Sequence, residues 1–373
     1  MILLNDFARQ WEIVEARVLD AVKRVGLSGR YILGPEVDEF EKALAEFSGV
    51  QHAVGVGNGM DALEIGLRCL DARPGDKVLT TPLSAFATTL AILRAGARPI
   101  FVDVDERGGI DLDQCERLLR QDSSIRFLLP VHLYGISLDL EKLARLRDEF
   151  GLFVVEDCAQ AIGATDGGTS AGSVGQVAAT SFYPTKNLGA LGDGGALLTN
   201  DASLAEKAKV LRNYGQTGHY VHSEPGLNSR LDELHAAMLR DAFLPFVKEW
   251  TERRRTIAHT YLARIRNPAV QLLPVKAGSG AVWHLFPILV AEGLRENLQQ
   301  HLSSLEILSA IHYPRIIPEQ EALKRSPGFE MAEQPLKASR FSRCELSLPV
   351  HPFLSESEVE RVIDACNTWQ PRA

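Results

Sequence analysis

The chain has little of what would mark a disulfide scaffold, a zinc module, a membrane span or a nucleic-acid grip. Its five cysteines (Cys69, Cys115, Cys158, Cys344, Cys366) lie far apart and form no C-x-x-C pair. That excludes the spacings of a disulfide framework or a zinc knuckle and favours a reducing compartment. No apolar run approaches the roughly 18 residues that would be read as a membrane span. The opening MILLNDFARQWEI has no basic n-region or cleavage site, so a cytoplasmic protein without a membrane association is expected. Net charge is -8 and no long Lys/Arg run occurs. Nucleic acid is therefore not an expected partner, and any bound phosphate must be held locally. His219 and His222 are close in sequence, but neither an H-E-x-x-H pattern nor a carboxylate cluster accompanies them, so no metal is expected. Repeats, low-complexity tracts and flexible linkers are missing as well.

What is there is ordinary for a compact enzyme of two domains: 373 residues, 45% hydrophobic and 24% charged. Between residues 50 and 200 the runs QHAVGV, KVLTTP, RPIFVDV, FLLPVHL and LFVVED alternate with amphipathic stretches. This is the pattern of an α/β fold with a mostly parallel sheet flanked by helices. Such sheets bind ligands at the carboxyl ends of their strands. From residue 229 one long helical region is expected, opened by Ser229 and Asp232 at capping-box spacing. Strands are expected in VWHLFPILV, SAIHYP and CELSLPV, followed by a final helix opened by Ser355 and Glu358. The expected division is a large domain over 1–245, with the N-terminal segment packing on the smaller unit, and a connecting helix plus small C-terminal αβ domain over 246–373.

Three segments carry chemistry. GVGNGMDAL (55–63) is a glycine-rich turn between a strand and a helix, where exposed N–H groups attract phosphate. A dinucleotide fold would need a carboxylate after the next strand, yet KVLTTPL ends in Thr80, Thr81 and Pro82. Taken alone, the turn reads equally as a tight connection. LFVVEDCAQA ends a buried strand in Glu156-Asp157 where an α/β crevice opens; alone, Asp157 reads more readily as a helix N-cap. In SFYPTKNLGALGDGGA, Lys186 follows a Ser-aromatic-Pro segment and precedes Gly189, Gly192, Gly194 and Gly195. An isolated lysine is by default solvated. A phosphate-binding helix start, a strand-end Asp and a loop Lys, in that order, form the set that pyridoxal phosphate requires.

On GRYILGPEV, GNGMDAL, EDCAQAIGA, SFYPTKNLGALGDGGA, LRNYGQ, NSRLDELHAA, IHYP and LSLPVHP, the chain resembles the DegT/DnrJ/EryC1/StrS family of sugar aminotransferases. The likeness runs over essentially its whole length and implies a fold-type I aminotransferase architecture. It makes Lys186 the lysine that forms the Schiff base and Asp157 the partner of the pyridine nitrogen. Gln160 would bond the phenolic oxygen and Phe86 would stack on the ring. Phosphate contacts would come from Asn58, Gly59, Met60 and Ser181, and from Asn228 of a second subunit, so the implied assembly is a homodimer with active sites at the interface. Without the resemblance, Phe86 reads as core packing and Asn228 as a helix N-cap. Tyr31, Tyr183, Tyr220, Arg230, His312 and Tyr313 become substrate contacts, with Arg212 and Arg315 as further candidates at the pocket rim.

Two positions depart from the family pattern: Met60, where many relatives carry a hydroxyl, and Ile162, where AQAHG is usual. The implied reaction moves an amino group from an amino acid, glutamate, to a nucleotide-linked ketosugar, with the cofactor passing through its pyridoxamine form. GVGNGMDAL and IHYP resemble the branch acting at C3 of dTDP-3-keto-6-deoxyhexoses. The alternatives are a C4 aminotransferase for a 4-keto-6-deoxy sugar and a non-catalytic regulatory protein on the same scaffold. A histidine at the lysine position would instead have implied a deoxysugar dehydratase.

Overall fold

A computed structural model describes residues 1–276, 278–325 and 328–371. Seven strands build the central sheet: β1 His52–Val56, β2 Lys77–Thr80, β3 Arg98–Phe101, β4 Phe127–Leu129, β5 Phe153–Asp157, β6 Val177–Ser181 and β7 Gly195–Thr199. Their order is β1-β7-β6-β5-β4-β2-β3. Contacts from β3 to β6 are parallel. β7 runs antiparallel to both β1 and β6. The apolar interior of β4, β5 and β6 is buried on both faces, as a sheet covered by helices on each side requires. Because β7 is reversed, its first residue meets the carboxyl ends of β1 and β6 at one edge, and the candidate site forms there.

Two N-terminal helices, α1 Phe7–Ser28 and α2 Pro35–Ser48, precede the sheet. Val14, Val18, Ala21 and Val25 of α1 and Val37, Phe40 and Leu44 of α2 are buried at helical spacing. Phe40 packs edge-on against Phe182, with ring centroids 5.4 Å apart, so α2 braces the loop that follows β6. The helices that alternate with the strands include α3 Gly59–Cys69 and α4 Phe86–Arg94, which pack on one another.

The region after residue 229 differs from the expected single helix. Ser229 caps nothing: its hydroxyl accepts the Gly57 N–H at 3.0 Å. The cap is Asp232, whose side chain accepts the His235 N–H at 2.8 Å. The helix then runs in pieces: Glu233–Met238, a π turn over Leu239–Phe243, a 3-10 turn over Leu244–Phe246, and an α-helix over Val247–Arg264. Pro245 lacks the N–H that a continuous α-helix needs, which accounts for the break.

A second sheet, antiparallel and three-stranded, joins β8 Gln271–Leu272, β9 Phe286–Leu289 and, at its other edge, Glu345–Leu348. Between these last two in sequence, β10 Glu330–Met331 returns to extend the large sheet beside β3, so Glu345–Leu348 becomes β11. SAIHYP is not a strand. It makes one bridge, Ala310 to Ser347, and then turns away toward the site. Ile2 bridges to Ile307, tying the N-terminal segment to this C-terminal unit. The final helix, Glu356–Thr368, carries the complete Ser355/Glu358 capping box. Among the described residues no helix is long and apolar enough to cross a membrane.

Candidate active site

At the edge where β1, β6 and β7 meet, the start of α3, Ser181 and Gly195 converge. The Asn58 side chain accepts the Asp61 N–H at 2.8 Å, and the Asn58 carbonyl accepts the Ala62 N–H. That leaves Gly59 and Met60, the first two N–H groups of α3, without a partner inside the helix. Ser181 lies against them, so close that a Cβ on Gly59 would stand 2.8 Å from the Ser181 Cβ. A Cβ on Gly195 would stand 2.4 Å from the Asn58 carbonyl carbon. Only glycine at these two positions lets three backbones converge on one helix start.

At the end of β5, alternation sends the neighbouring carboxylates to opposite faces. Glu156 accepts N–H groups from Gly172, Val174 and Gly175. It also lies 2.8 Å from His132 Nε2. Leu138 N–H donates to His132 Nδ1, so the ring proton sits on Nε2 and points at Glu156. These contacts make Glu156 a structural anchor. Asp157 turns to the other face, where its Oδ2 accepts the Thr88 hydroxyl at 2.8 Å and its Oδ1 the Ala159 N–H at 3.1 Å. Thr88 is in turn 2.9 Å from Ser84 Oγ. Burial raises the Asp157 carboxyl above its ordinary value, opposed by those two hydrogen bonds and by Lys186. No helix begins at Asp157; its side chain caps only a short turn.

Lys186 rises from the loop after β6. Its N–H donates to the Tyr183 carbonyl at 2.8 Å. The loop closes on itself at Gly189, where a Cβ would stand 2.3 Å from the Pro184 carbonyl oxygen. The Lys186 ammonium has no hydrogen-bond or ion-pair partner among the described residues. Burial lowers its pKa to about 8, with Asp157 pulling the other way. Three residues beyond Asp157, Gln160 Oε1 accepts the Tyr134 N–H at 2.7 Å and Gln160 Nε2 donates to Tyr313 Oη at 3.1 Å. Burial, with Asp157 nearby, raises the Tyr313 phenol. His312 is partly buried near Lys186, and desolvation together with the lysine's charge lowers its pKa to about 4.

These residues fit pyridoxal phosphate. The α3 start and Ser181 offer donors to a phosphate, Asp157 offers a buried carboxylate to a ring cation, and Lys186 offers an unpaired amine of lowered pKa. The DegT/DnrJ/EryC1/StrS aminotransferase family profile matches residues 12–367. The chain belongs to this family. It is 40% identical to a dTDP-3-amino-3,4,6-trideoxy-alpha-D-glucose transaminase of Streptomyces venezuelae, the match covering 98% of this chain and 96% of that one. It is 41% identical to a dTDP-3-amino-3,6-dideoxy-alpha-D-galactopyranose transaminase of Aneurinibacillus thermoaerophilus, covering 95% and 96%. Among solved structures, that of S. venezuelae DesV in complex with a ketimine intermediate superposes with a TM-score of 0.93 at 40% identity, covering 100% of this chain and 99% of that one. The protein is thus a pyridoxal-phosphate-dependent aminotransferase of fold type I.

Within this family frame the remaining sequence candidates fall into two groups. Phe86 opens α4, two residues before Thr88, and packs against Phe101, Ile317 and Leu323 while staying partly exposed. Met60 is partly buried against the core beneath α3, and Ile162 is fully buried. Tyr31, Tyr183 and Tyr220 are 50%, 52% and 81% exposed. Asn228 is exposed and is not a helix cap, since Asp232 takes that role. Arg230 donates to Asn213 at 3.0 Å and stacks over Tyr214. His222 Nδ1 contacts the Tyr214 carbonyl, and His219 packs on Tyr220.

Arg212 is not a rim residue: it is buried, paired with Glu41, and donates to the Gly55 carbonyl at 2.8 Å. Arg212 ends the helix Ala202–Arg212, and the buried Glu41 carboxylate holds its guanidinium there. Arg315 is exposed. Sequence reasoning missed Thr88 and Tyr134. Both act through long-range contacts, and the only trace of Thr88 was its place two residues after Phe86.

Proposed function

We propose that this aminotransferase moves an amino group from L-glutamate to C3 of a dTDP-3-keto-6-deoxyhexose. The observation that carries the reaction type is the unpaired Lys186 amine beside the buried Asp157 carboxyl, over an anion-binding helix start. The sugar position is supported by two relatives whose names specify 3-amino dTDP-sugars. Pyridoxal phosphate, cycling through pyridoxamine phosphate, supplies an electron-accepting ring that stabilises negative charge at the reacting carbon. Asp157 would hold a proton on the ring nitrogen. Gln160 would bond the phenolic oxygen, Phe86 would stack on the ring, and Asn58, Gly59, Met60 and Ser181 would bind the phosphate. Lys186 Nζ, whose burial favours the neutral amine, would take the Cα proton of the donor amino acid and later return one to the product. Tyr31, Tyr183, Tyr220, Arg230, His312 and Tyr313 orient the sugar nucleotide so that C3 is the carbon presented, since a shift of one ring carbon misaligns attack.

The test is incubation with glutamate and either 3-keto or 4-keto dTDP-6-deoxyhexose, with the product located by NMR. Nitrogen on C3 is expected. Nitrogen on C4, with the 3-keto isomer unreactive, would move the enzyme to C4 chemistry while leaving the reaction class intact. No amino transfer to any nucleotide ketosugar would favour a regulatory role on this scaffold.

The active unit in this reading is a two-fold dimer in which Asn228 completes the partner's phosphate site. Asn228 and Tyr220 are exposed, as are the apolar Val221 of the same segment and Ile13, Leu19, Val22 and Leu27 of α1. Sedimentation at assay concentration is expected to give a dimer, with activity lost on dilution into monomer. A fully active monomer would remove Asn228 from the site.

A further inference from the structure

Behind His312 lies a buried polar chain that the reaction as described does not use. The His312 N–H donates to Glu345 Oε2 at 2.6 Å. Ser347 Oγ is in hydrogen-bond contact with Glu345 Oε1 and lies 3.0 Å from His312 Nδ1. Glu345, Ser347 and the bridge from Ala310 to Ser347 hold the segment that leads into His312 against β11. Glu345 is completely buried and has no ion-pair partner among the described residues. The charged and titratable groups around it are few. Arg295 acts on Glu345 from its own helix but donates to the Ser342 carbonyl and to Glu296. The Tyr134 and Tyr313 phenols are close enough to feel its charge, and Lys186 and His284 act on His312.

We propose that Glu345 and Ser347 are positioning residues that fix His312 as its Nε2–H tautomer and so make it a hydrogen-bond donor to the ketosugar. A lone buried carboxyl with no cation is most stable when protonated. Oε2 already accepts the His312 N–H, so the carboxyl proton sits on Oε1 and is donated to Ser347 Oγ. The Ser347 proton then has one partner left, His312 Nδ1. Nδ1 therefore accepts, and the ring proton resides on Nε2, for which no hydrogen-bond partner is found among the described residues. If Glu345 loses its proton to solvent, the order reverses: Ser347 donates to the carboxylate, His312 Nδ1–H donates to Ser347, and Nε2 becomes an acceptor. Burial pushes Glu345 up to about 8 and His312 down to about 4. The imidazole is thus neutral at physiological pH, and its tautomer changes as pH rises through about 8.

The inference that His312 serves the sugar rests on the proposed function, whereas the tautomer does not. Long-range 1H–15N correlation on the holoenzyme labelled with 15N-histidine, with His312 assigned by its loss in His312→Gln, reads the tautomer directly. The Nε2–H pattern is expected at pH 7 and the Nδ1–H pattern at pH 9. Glu345→Gln, whose amide mimics the protonated acid, should hold the Nε2–H pattern at both. In the same variant the ratio of ketosugar kcat/KM at pH 9 to that at pH 7 should exceed the wild-type ratio about tenfold. Ser347→Ala should lower ketosugar kcat/KM about tenfold, the worth of one hydrogen bond. An Nδ1–H pattern at pH 7, or identical pH profiles for wild type and Glu345→Gln, would overturn the relay. Failure of amino transfer in the wild type would overturn the function and leave the tautomer result standing.

Discussion

Lys186→Ala is expected to abolish turnover, a loss of at least about 10³-fold, because on the proposed function it removes both the amine that would hold the cofactor and the group that would move the proton. The fold should survive. The Lys186 ammonium has no hydrogen-bond or ion-pair partner among the described residues, so truncation breaks no direct polar contact, and stability should change by no more than about 1 kcal/mol. Borohydride treatment of the cofactor-loaded protein separates loss of attachment from loss of folding: the wild type should gain the cofactor's mass irreversibly and the variant should not. The pH dependence follows from the same burial. A lysine whose pKa is lowered to about 8 is neutral above that pH, so the rate at which the cofactor-free enzyme takes up pyridoxal phosphate should rise with pH and level off beyond about 8. An ordinary lysine would keep rising through the next two pH units. A Lys186→Ala variant turning over at the wild-type rate would remove the assignment.

Lys186 was legible because its whole setting is contiguous: a strand, a Ser-aromatic-Pro segment and a glycine run within one stretch, with Gly189 and Gly195 at backbone contacts that a Cβ would block. Asp157 was legible as the last residue of a strand buried on both faces. The convergence at the α3 start was half legible. GNGM announced a helix start, but that it meets Ser181 depends on β7 being reversed between β1 and β6, which no local pattern encodes. What escaped is long-range. Arg212 reads as a surface arginine until the fold brings Glu41 to it, and Ser229 reads as a helix cap until Gly57 takes its hydroxyl. The expected strand SAIHYP is apolar enough to pair, yet beyond the Ala310–Ser347 bridge the side chains of Glu345 and Ser347 take His312 in place of a backbone ladder, and Gln160 binds Tyr313. Pro245 is visible in the sequence, but the helical pattern resumes directly after it, so the break is local and leaves little trace in the periodicity on either side.

Asp157→Asn should cost on the order of 10²-fold or more in rate while sparing the fold. The hydrogen bonds can be redistributed without a vacancy. The amide oxygen of the substituted side chain keeps the Ala159 N–H, and the amide nitrogen donates toward Thr88, whose hydroxyl turns to Ser84, already 2.9 Å away. In the cofactor-free protein the substitution removes a carboxyl whose ionised form burial disfavours, so thermal stability should hold or rise slightly. In the loaded enzyme of the proposed function the balance would reverse, because a buried carboxylate facing a ring cation would be a compensated pair and its loss would leave the cation unmatched. Without its carboxylate the residue at 157 could no longer keep the ring nitrogen protonated, and the electron-accepting character that the cofactor would supply would be weakened. The defect should therefore appear in kcat for both half-reactions, with KM for glutamate and ketosugar little changed, since Asp157 contacts neither. The ultraviolet–visible spectrum supplies the independent check: the loaded variant should show a displaced cofactor band whose pH response differs from that of the wild type. An unchanged rate with an unchanged spectrum would reduce Asp157 to the cap of a short turn, and the burial of its carboxylate would then need another cause.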